Sequence, residues 1–110
     1  MKITQQILDG FKSVEQFLNY FATIPDEKWC VDYYHRNLGQ ENEQHCARGH
    51  LCLNGQLGET VADNTLMKLA PDIYNVNNGY LTKGVVANRN VGIKDRVLDY
   101  LRLLLPTPTV

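Results

Sequence analysis

The chain has 110 residues, 44% of them hydrophobic and 21% charged. That gives room for one domain around one core, and the apolar content is too high for a disordered chain. A formal net charge of -1 and a pI of about 6.3 give no overall attraction to nucleic acid or to an anionic membrane. No apolar run reaches the roughly 18 residues of a membrane span. The stretch Met1 to Gln6 lacks a secretory pattern, and three cysteines fit poorly to a disulfide framework. The expectation is therefore a cytoplasmic protein with reduced thiols.

In chain order, Ile3, Ile7, Leu8, Phe11, Val14, Phe17, Leu18 and Phe21 recur at steps that place them on one helical stripe. Gly10 weakens its middle, and Ser13-Val14-Glu15-Gln16 has capping-box spacing, so the helix is expected to restart there. Pro25 ends it. Trp29 to Tyr34 alternates aromatic and β-branched residues at period two and reads as a short strand. Arg36 to Gln44 is polar and reads as an exposed loop. Cys46 to Leu53 suits a short helix, with Gly49 allowing close approach by another element, and Gly55 and Gly58 then break the chain.

Glu59 to Leu69 is expected to form a second amphipathic helix that buries Val61, Ala62, Leu66 and Leu69 and stops at Pro71. Ile73, Tyr74 and Val76 lead to Asn77-Asn78-Gly79, a strong turn signal because Asn and Gly tolerate positive φ. Tyr80 to Val86 then reads as a return strand of a small hairpin. The last helix, Ile93 to Leu105, carries Ile93, Val97, Leu101 and Leu104 on one side and ends at Pro106 and Pro108. The predicted fold is α+β and mostly helical, one compact domain of about four helices with a short strand or hairpin element.

The residues best suited to chemistry are unevenly placed. Cys30, His35, His45, Cys46, His50 and Cys52 are all the cysteines and histidines of the chain. Positions four apart on a helix share a face, so Cys46 and His50 are candidates to meet. Three readings stay open. Cys30, His35, Cys46 and His50 would supply four zinc ligands, although neither spacing is that of a standard knuckle. Cys46 near a helix start, with His50 or His45 as base and Asn77 or Asn78 as orienting group, would make a thiol nucleophile. The third reading is structural, with the cysteines packing as small hydrophobes.

Other candidates are binding residues. Trp29, the single tryptophan, suits a core anchor or a contact hot spot, and Tyr33 follows closely. Asn77 and Asn78 offer amides at their turn. Lys94 and Arg96 sit in the first turn of the last helix, where two cations oppose its dipole and would suit an acidic partner. They belong to a basic stretch with Lys83, Arg89 and Arg102, which also fits solvated helix charge. The phosphate-loop, dinucleotide, zinc-protease and serine-hydrolase signatures do not occur.

Four segments carry a resemblance. They are Ile24-Pro25-Asp26-Glu27-Lys28-Trp29, Cys46-Ala47-Arg48-Gly49-His50-Leu51, Val76-Asn77-Asn78-Gly79 and Gly92-Ile93-Lys94-Asp95-Arg96-Val97-Leu98. In this order the chain resembles a group of small bacterial and phage-associated proteins of unknown function. Their pattern is a tryptophan after a short acidic turn, C-A-L-G-H-L, an N-D-G turn and a closing helix beginning near T-P-K-x-R-V-L. Arg48, Asn78 and Gly92-Ile93 depart from that pattern. The resemblance implies that Cys46 and His50 act as a unit, and it brings no activity with it.

The expected function is a small cytoplasmic binding or interaction protein without a cofactor. Its partner would be another protein rather than nucleic acid or membrane, and a homo-oligomer is compatible with it. Small size, the missing catalytic set and the exposed-looking Tyr20, Tyr33, Tyr34, Tyr74 and Tyr80 motivate this reading. A phage or mobile-element modulator of a host protein would fit. The alternatives are the thiol enzyme and the zinc-stabilised domain.

Overall fold

The N-terminal stripe folds as two helices rather than one. In the computed structural model, which describes residues 2–53, 60–80 and 91–106, helix α1 spans Gln5–Asp9 and α2 spans Val14–Ala22. Thr4 caps α1 by accepting from the Ile7 N–H at 3.2 Å, and Gly10 closes it. Ser13 and Gln16 form the reciprocal capping box that restarts the chain as α2. The apolar stripe survives the break, since Leu8, Phe17, Leu18 and Phe21 all reach the core.

The next segment corrects the expected strand over Trp29 to Tyr34. Trp29 makes only an isolated bridge to His45, and Asp32 adopts a left-handed φ of 66°, which breaks an extended run. The ladder forms just beyond it. Strand β1, His35–Arg36, pairs antiparallel with β2, Gln44–His45, so that His35 faces His45. The ends of the predicted loop are thus strands, and its middle is the hairpin connection.

Cys46 to Leu53 holds a single 3-10 turn at Gly49–Leu51, tied to what precedes it by His50 N–H donating to the Cys46 carbonyl at 2.9 Å. Gly49 is buried, and a Cβ there would collide with the Tyr34 carbonyl. The close approach expected at this glycine is made by the backbone entering β1.

Helix α3, Val61–Leu69, has Thr60 as N-cap. Gly55, Gly58 and Glu59 lie outside the described residues. Ala62 and Leu66 are buried as expected, but Val61 is exposed and Leu69 only half-buried, while Asp63 is fully buried. Asp9 of α1 accepts from the Ala62 N–H at 2.9 Å, so α1 helps cap α3.

The Asn-Gly turn is a helix end. Helix α4 spans Ile73–Asn78, and Gly79 closes it with φ 76°. Gly79 N–H donates to Val76 O and Tyr80 N–H to Asn75 O, the paired bonds of a Schellman cap. The same tolerance of positive φ serves a hairpin turn or a helix stop. What decides between them here is the burial of Ile73 and Val76 at helical spacing. Of the expected return strand, residues 81–86 lie outside the described residues, as do Lys83, Arg89 and Pro108.

Helix α5, Ile93–Leu103, buries Val97, Leu98, Tyr100 and Leu101, whereas Leu104 follows the helix and is exposed. It packs on α2 and α4, while α1 packs on α3. Phe17, Phe21, Leu51, Leu66, Ile73 and Leu101 lie in one buried cluster, each worth about 1.5–3 kcal/mol of hydrophobic stabilisation. The described residues form a compact, mostly helical α+β domain with a small antiparallel hairpin, and no described helix is long and apolar enough to cross a membrane.

Candidate functional site

The segment from Cys46 to Cys52 separates two clefts. On one side lie Asp32, Tyr33, Tyr34, Cys46, Tyr74 and Asn78, around about 110 Å³ of space. On the other, Tyr20, Leu38, Glu43, His45, His50 and Leu53 help to line about 150 Å³. Cys46 and His50 therefore belong to different clefts, although the backbone bond between them is the one that helical spacing implies. A larger groove of about 560 Å³ beside α2 is lined by Ile3, Phe11, Gln16, Asn19, Tyr20 and Thr23. It has no acid, histidine or cysteine in its wall.

Cys46 is buried and its Sγ accepts from the Gly49 N–H at 3.4 Å. Burial pushes its thiol up, against the smaller opposing pull of the Gly49 and Arg48 backbone. Cys30 is pushed up to about 11, again first by burial, and its Sγ donates to the Tyr33 carbonyl at 3.4 Å. These are protonated thiols in packed surroundings, the opposite of an activated nucleophile. Cys52 Sγ lies 3.5 Å from the Arg48 carbonyl.

His45, His50 and Glu43 are polar members of the second cleft's wall, and His35 stands behind His45. Glu43 Oε2 lies 3.1 Å from His45 Nε2, and His45 Nδ1 lies 2.6 Å from His35 Nδ1. The bond from the Gly39 N–H, followed by that of His45, holds the Glu43 carboxyl below its usual range. A carboxylate only accepts, so His45 Nε2 carries the proton. Burial lowers the His45 pKa, so its ring is neutral near pH 7. His45 Nδ1 then accepts, and His35 Nδ1 donates. The hairpin register that sets His35 opposite His45 creates this chain.

His50 stands beside it. Its ring packs edge-on against Trp29, with centroids 4.5 Å apart, and against His45 at 5.1 Å. Burial, reinforced by His45 and His35, lowers its pKa to about 3, while a hydrogen bond to the Lys28 backbone raises it slightly. His50 is therefore neutral at any ordinary pH. Its Nε2 is buried and has no hydrogen-bond partner. The Tyr20 hydroxyl donates to the His50 carbonyl at 2.8 Å.

The proposed ligand set Cys30, His35, Cys46 and His50 is dispersed. Among the described residues, no group of three or more His, Cys, Asp or Glu is placed to hold a metal ion. Trp29 is only 3% exposed. It is a core residue packed on Phe21 and His50, out of reach of a partner. Asn77 is buried too, and its amide ties three strands of chain together. Oδ1 accepts from the Ala47 N–H at 3.0 Å, and Nδ2 donates to the Cys30 carbonyl at 3.0 Å.

Arg96 folds back onto the end of α4, donating to Val76 O, Asn77 O and Val91 O at 2.7–3.1 Å. These donors answer backbone carbonyls, two of them in the last turn of α4. Lys94 is half-buried in the first turn of α5 and lines none of these clefts.

Tyr33 and Asn78 do meet at the first cleft. Asn78 Oδ1 accepts from the Asp32 N–H at 2.8 Å, and its buried Nδ2 has no partner. Tyr80 donates its hydroxyl to Asp32 Oδ1 at 2.7 Å and lies against Tyr74, ring centroids 6.4 Å apart. Tyr34 is half-buried beneath the Arg48 guanidinium, 5.0 Å from its ring centre.

Sequence reasoning missed three features. They are the Glu43–His45–His35 chain, the Arg48–Asp63 ion pair and the role of Asn77 as a tie between segments. Only the last had a signal, an asparagine within an otherwise helical apolar pattern. Comparisons with protein-family models, with curated proteins and with solved structures give no match.

Proposed function

We propose that this is a small binding protein that engages another protein through the tyrosine cleft. The observation that carries the reading is the rim of that cleft. Tyr33 and Tyr74 line it and are 60% and 42% exposed, and Tyr80, 41% exposed, packs against Tyr74 beside it. Around them are the Asp32 carboxylate and the unpartnered Asn78 amide N–H. Tyrosines give large contact area at low entropic cost, and they concentrate where proteins bind proteins. A buried amide donor at the base of such a rim is complementary to a backbone carbonyl, so an extended segment of the partner suits it.

The resemblance to small phage-associated proteins extends this proposal. A phage or mobile-element protein that modulates a host protein in the bacterial cytoplasm would need no catalytic set. Neither the thiol-enzyme nor the zinc reading gains from the geometry, because Cys46 is a buried, hydrogen-bonded thiol whose pKa is raised.

The test places a photo-reactive phenylalanine analogue at Tyr74, and separately at the exposed Leu103, in the full chain. Irradiation in bacterial lysate is expected to give one dominant adduct from position 74. The Asn78→Ala and Tyr33→Ala changes are expected to weaken it by about tenfold. Equal, diffuse labelling from both positions would sink the proposal.

A further inference from the structure

The second cleft has a hydrogen-bonding character that the protein's own groups leave incomplete. The side-chain donors on its wall have partners within the protein. The Tyr20 hydroxyl donates to the His50 carbonyl, and His45 Nε2–H donates to Glu43. The Cys52 thiol has the Arg48 carbonyl in range. What remains is acceptor capacity: the His50 Nε2 lone pair, buried without a partner on a residue only 6% exposed, and the Glu43 carboxylate. Leu38 and Leu53 are part of the same wall and are themselves partly exposed.

A buried acceptor with no donor costs about 1–3 kcal/mol, so an occupant that donates is favoured there. A carboxylate in the same wall selects for positive charge. The leucines and the Tyr20 ring suit an alkyl stem and a cation near an aromatic face. A volume of about 150 Å³ admits only a small group. We propose that this pocket binds a primary alkylammonium group, whose N–H donors go to the Glu43 carboxylate and to His50 Nε2. His50 is suited to this because burial keeps its ring neutral, so it accepts and does not repel a cation. The site is separate from the tyrosine cleft and does not depend on that proposal.

An ammonium of this kind comes from a free small amine or from a lysine of a partner protein. The experiment follows the ring nitrogens of histidine-labelled full-length protein by long-range proton–nitrogen spectra. The probes are n-butylammonium chloride, Nα-acetyl-lysine methylamide, n-butanol and zinc chloride, each at matched ionic strength. The expected result is a saturable shift of the His50 Nε2 signal with butylammonium, with a Kd on the order of millimolar for so few atoms, and a far smaller response to butanol. Glu43→Gln is expected to weaken binding by about tenfold. His50→Phe, which keeps a ring against Trp29, is expected to abolish it, with unchanged near-ultraviolet dichroism reporting an intact fold.

Capped lysine binding as well as butylammonium would assign the pocket to a partner's side chain. Butylammonium binding alone would assign it to a free amine. Equal responses to butanol and butylammonium, a response to zinc but to neither amine, or no saturable shift would each overturn the proposal.

Discussion

Arg48 grips Asp63 with two parallel hydrogen bonds, Nε to Oδ1 at 2.8 Å and Nη2 to Oδ2 at 2.9 Å, and Asp63 has no exposure to solvent. The pair joins the segment between the clefts to α3, and the Tyr34 ring covers the guanidinium from the other side.

Removing one partner of such a pair leaves a buried, uncompensated charge. Arg48→Ala is expected to lower unfolding stability by about 3 kcal/mol, read from denaturant midpoints. The double change Arg48→Leu with Asp63→Leu is expected to recover most of that loss. A loss below about 1 kcal/mol for the single change would mean that the pair is effectively solvated.

Gly49 is the second sensitive point. Its missing Cβ makes room for the Tyr34 carbonyl, which also receives the Cys46 N–H at 3.3 Å. Gly49→Ala must push the β1 approach away and is expected to cost about 3 kcal/mol. Ala at Gly92, where an added Cβ meets nothing within 4 Å, serves as the steric control; it gives up only the preference for glycine at the N-cap of α5 and is expected to lower the melting temperature far less than Gly49→Ala.

Asn77 supplies both an acceptor and donors to buried backbone. Asn77→Ala strands the Ala47 N–H and the Cys30 carbonyl, with an expected cost of about 2–4 kcal/mol. Asn77→Asp keeps the acceptor for Ala47 but sets a carboxylate against the Cys30 carbonyl, so it is not expected to rescue. Rescue by aspartate in equilibrium unfolding would show that the bond to Cys30 is unimportant.

Acid sensitivity follows from His50. Its folded pKa is about 3, against about 6.5 when unfolded, so the folded chain binds fewer protons. Stability is complete above the unfolded value and is lost as pH falls from about 6.5 toward about 3, by up to about 1.4 kcal/mol per pH unit. The lowered pKa values of His45 and Glu43 act in the same direction. Urea midpoints at about pH 7.5 and about pH 5 are expected to differ clearly in the wild type and much less in His50→Phe. Identical wild-type midpoints would contradict a neutral, buried His50.

Much of the helical frame was legible because it is written in local chemistry. The Ser13 capping box, the spacing of Leu8, Phe17 and Phe21, and the stripe of Val97 and Leu101 in α5 each depend on residues within a few positions of one another. The strand expected at Trp29 to Tyr34 failed because period-two alternation says nothing of the left-handed turn at Asp32. The Asn-Gly pair was ambiguous in a similar way, since hairpin and Schellman cap use the same φ, and only packing of Ile73 and Val76 against the core selects the cap.

The sequence alone determined a small, mostly helical α+β domain, and it concentrated the cysteines and histidines in one segment. It also indicated that Gly49 faces a close neighbour. Tertiary structure decided what those side chains do. It put Cys46 and His50 in separate clefts, set His35 against His45 through strand register, and buried Trp29, Asn77 and Asp63. Helical stripes are properties of neighbouring residues, whereas pKa values, ion pairs and clefts depend on burial and on partners distant in the chain, such as Arg48 and Asp63 or Cys30 and Asn77.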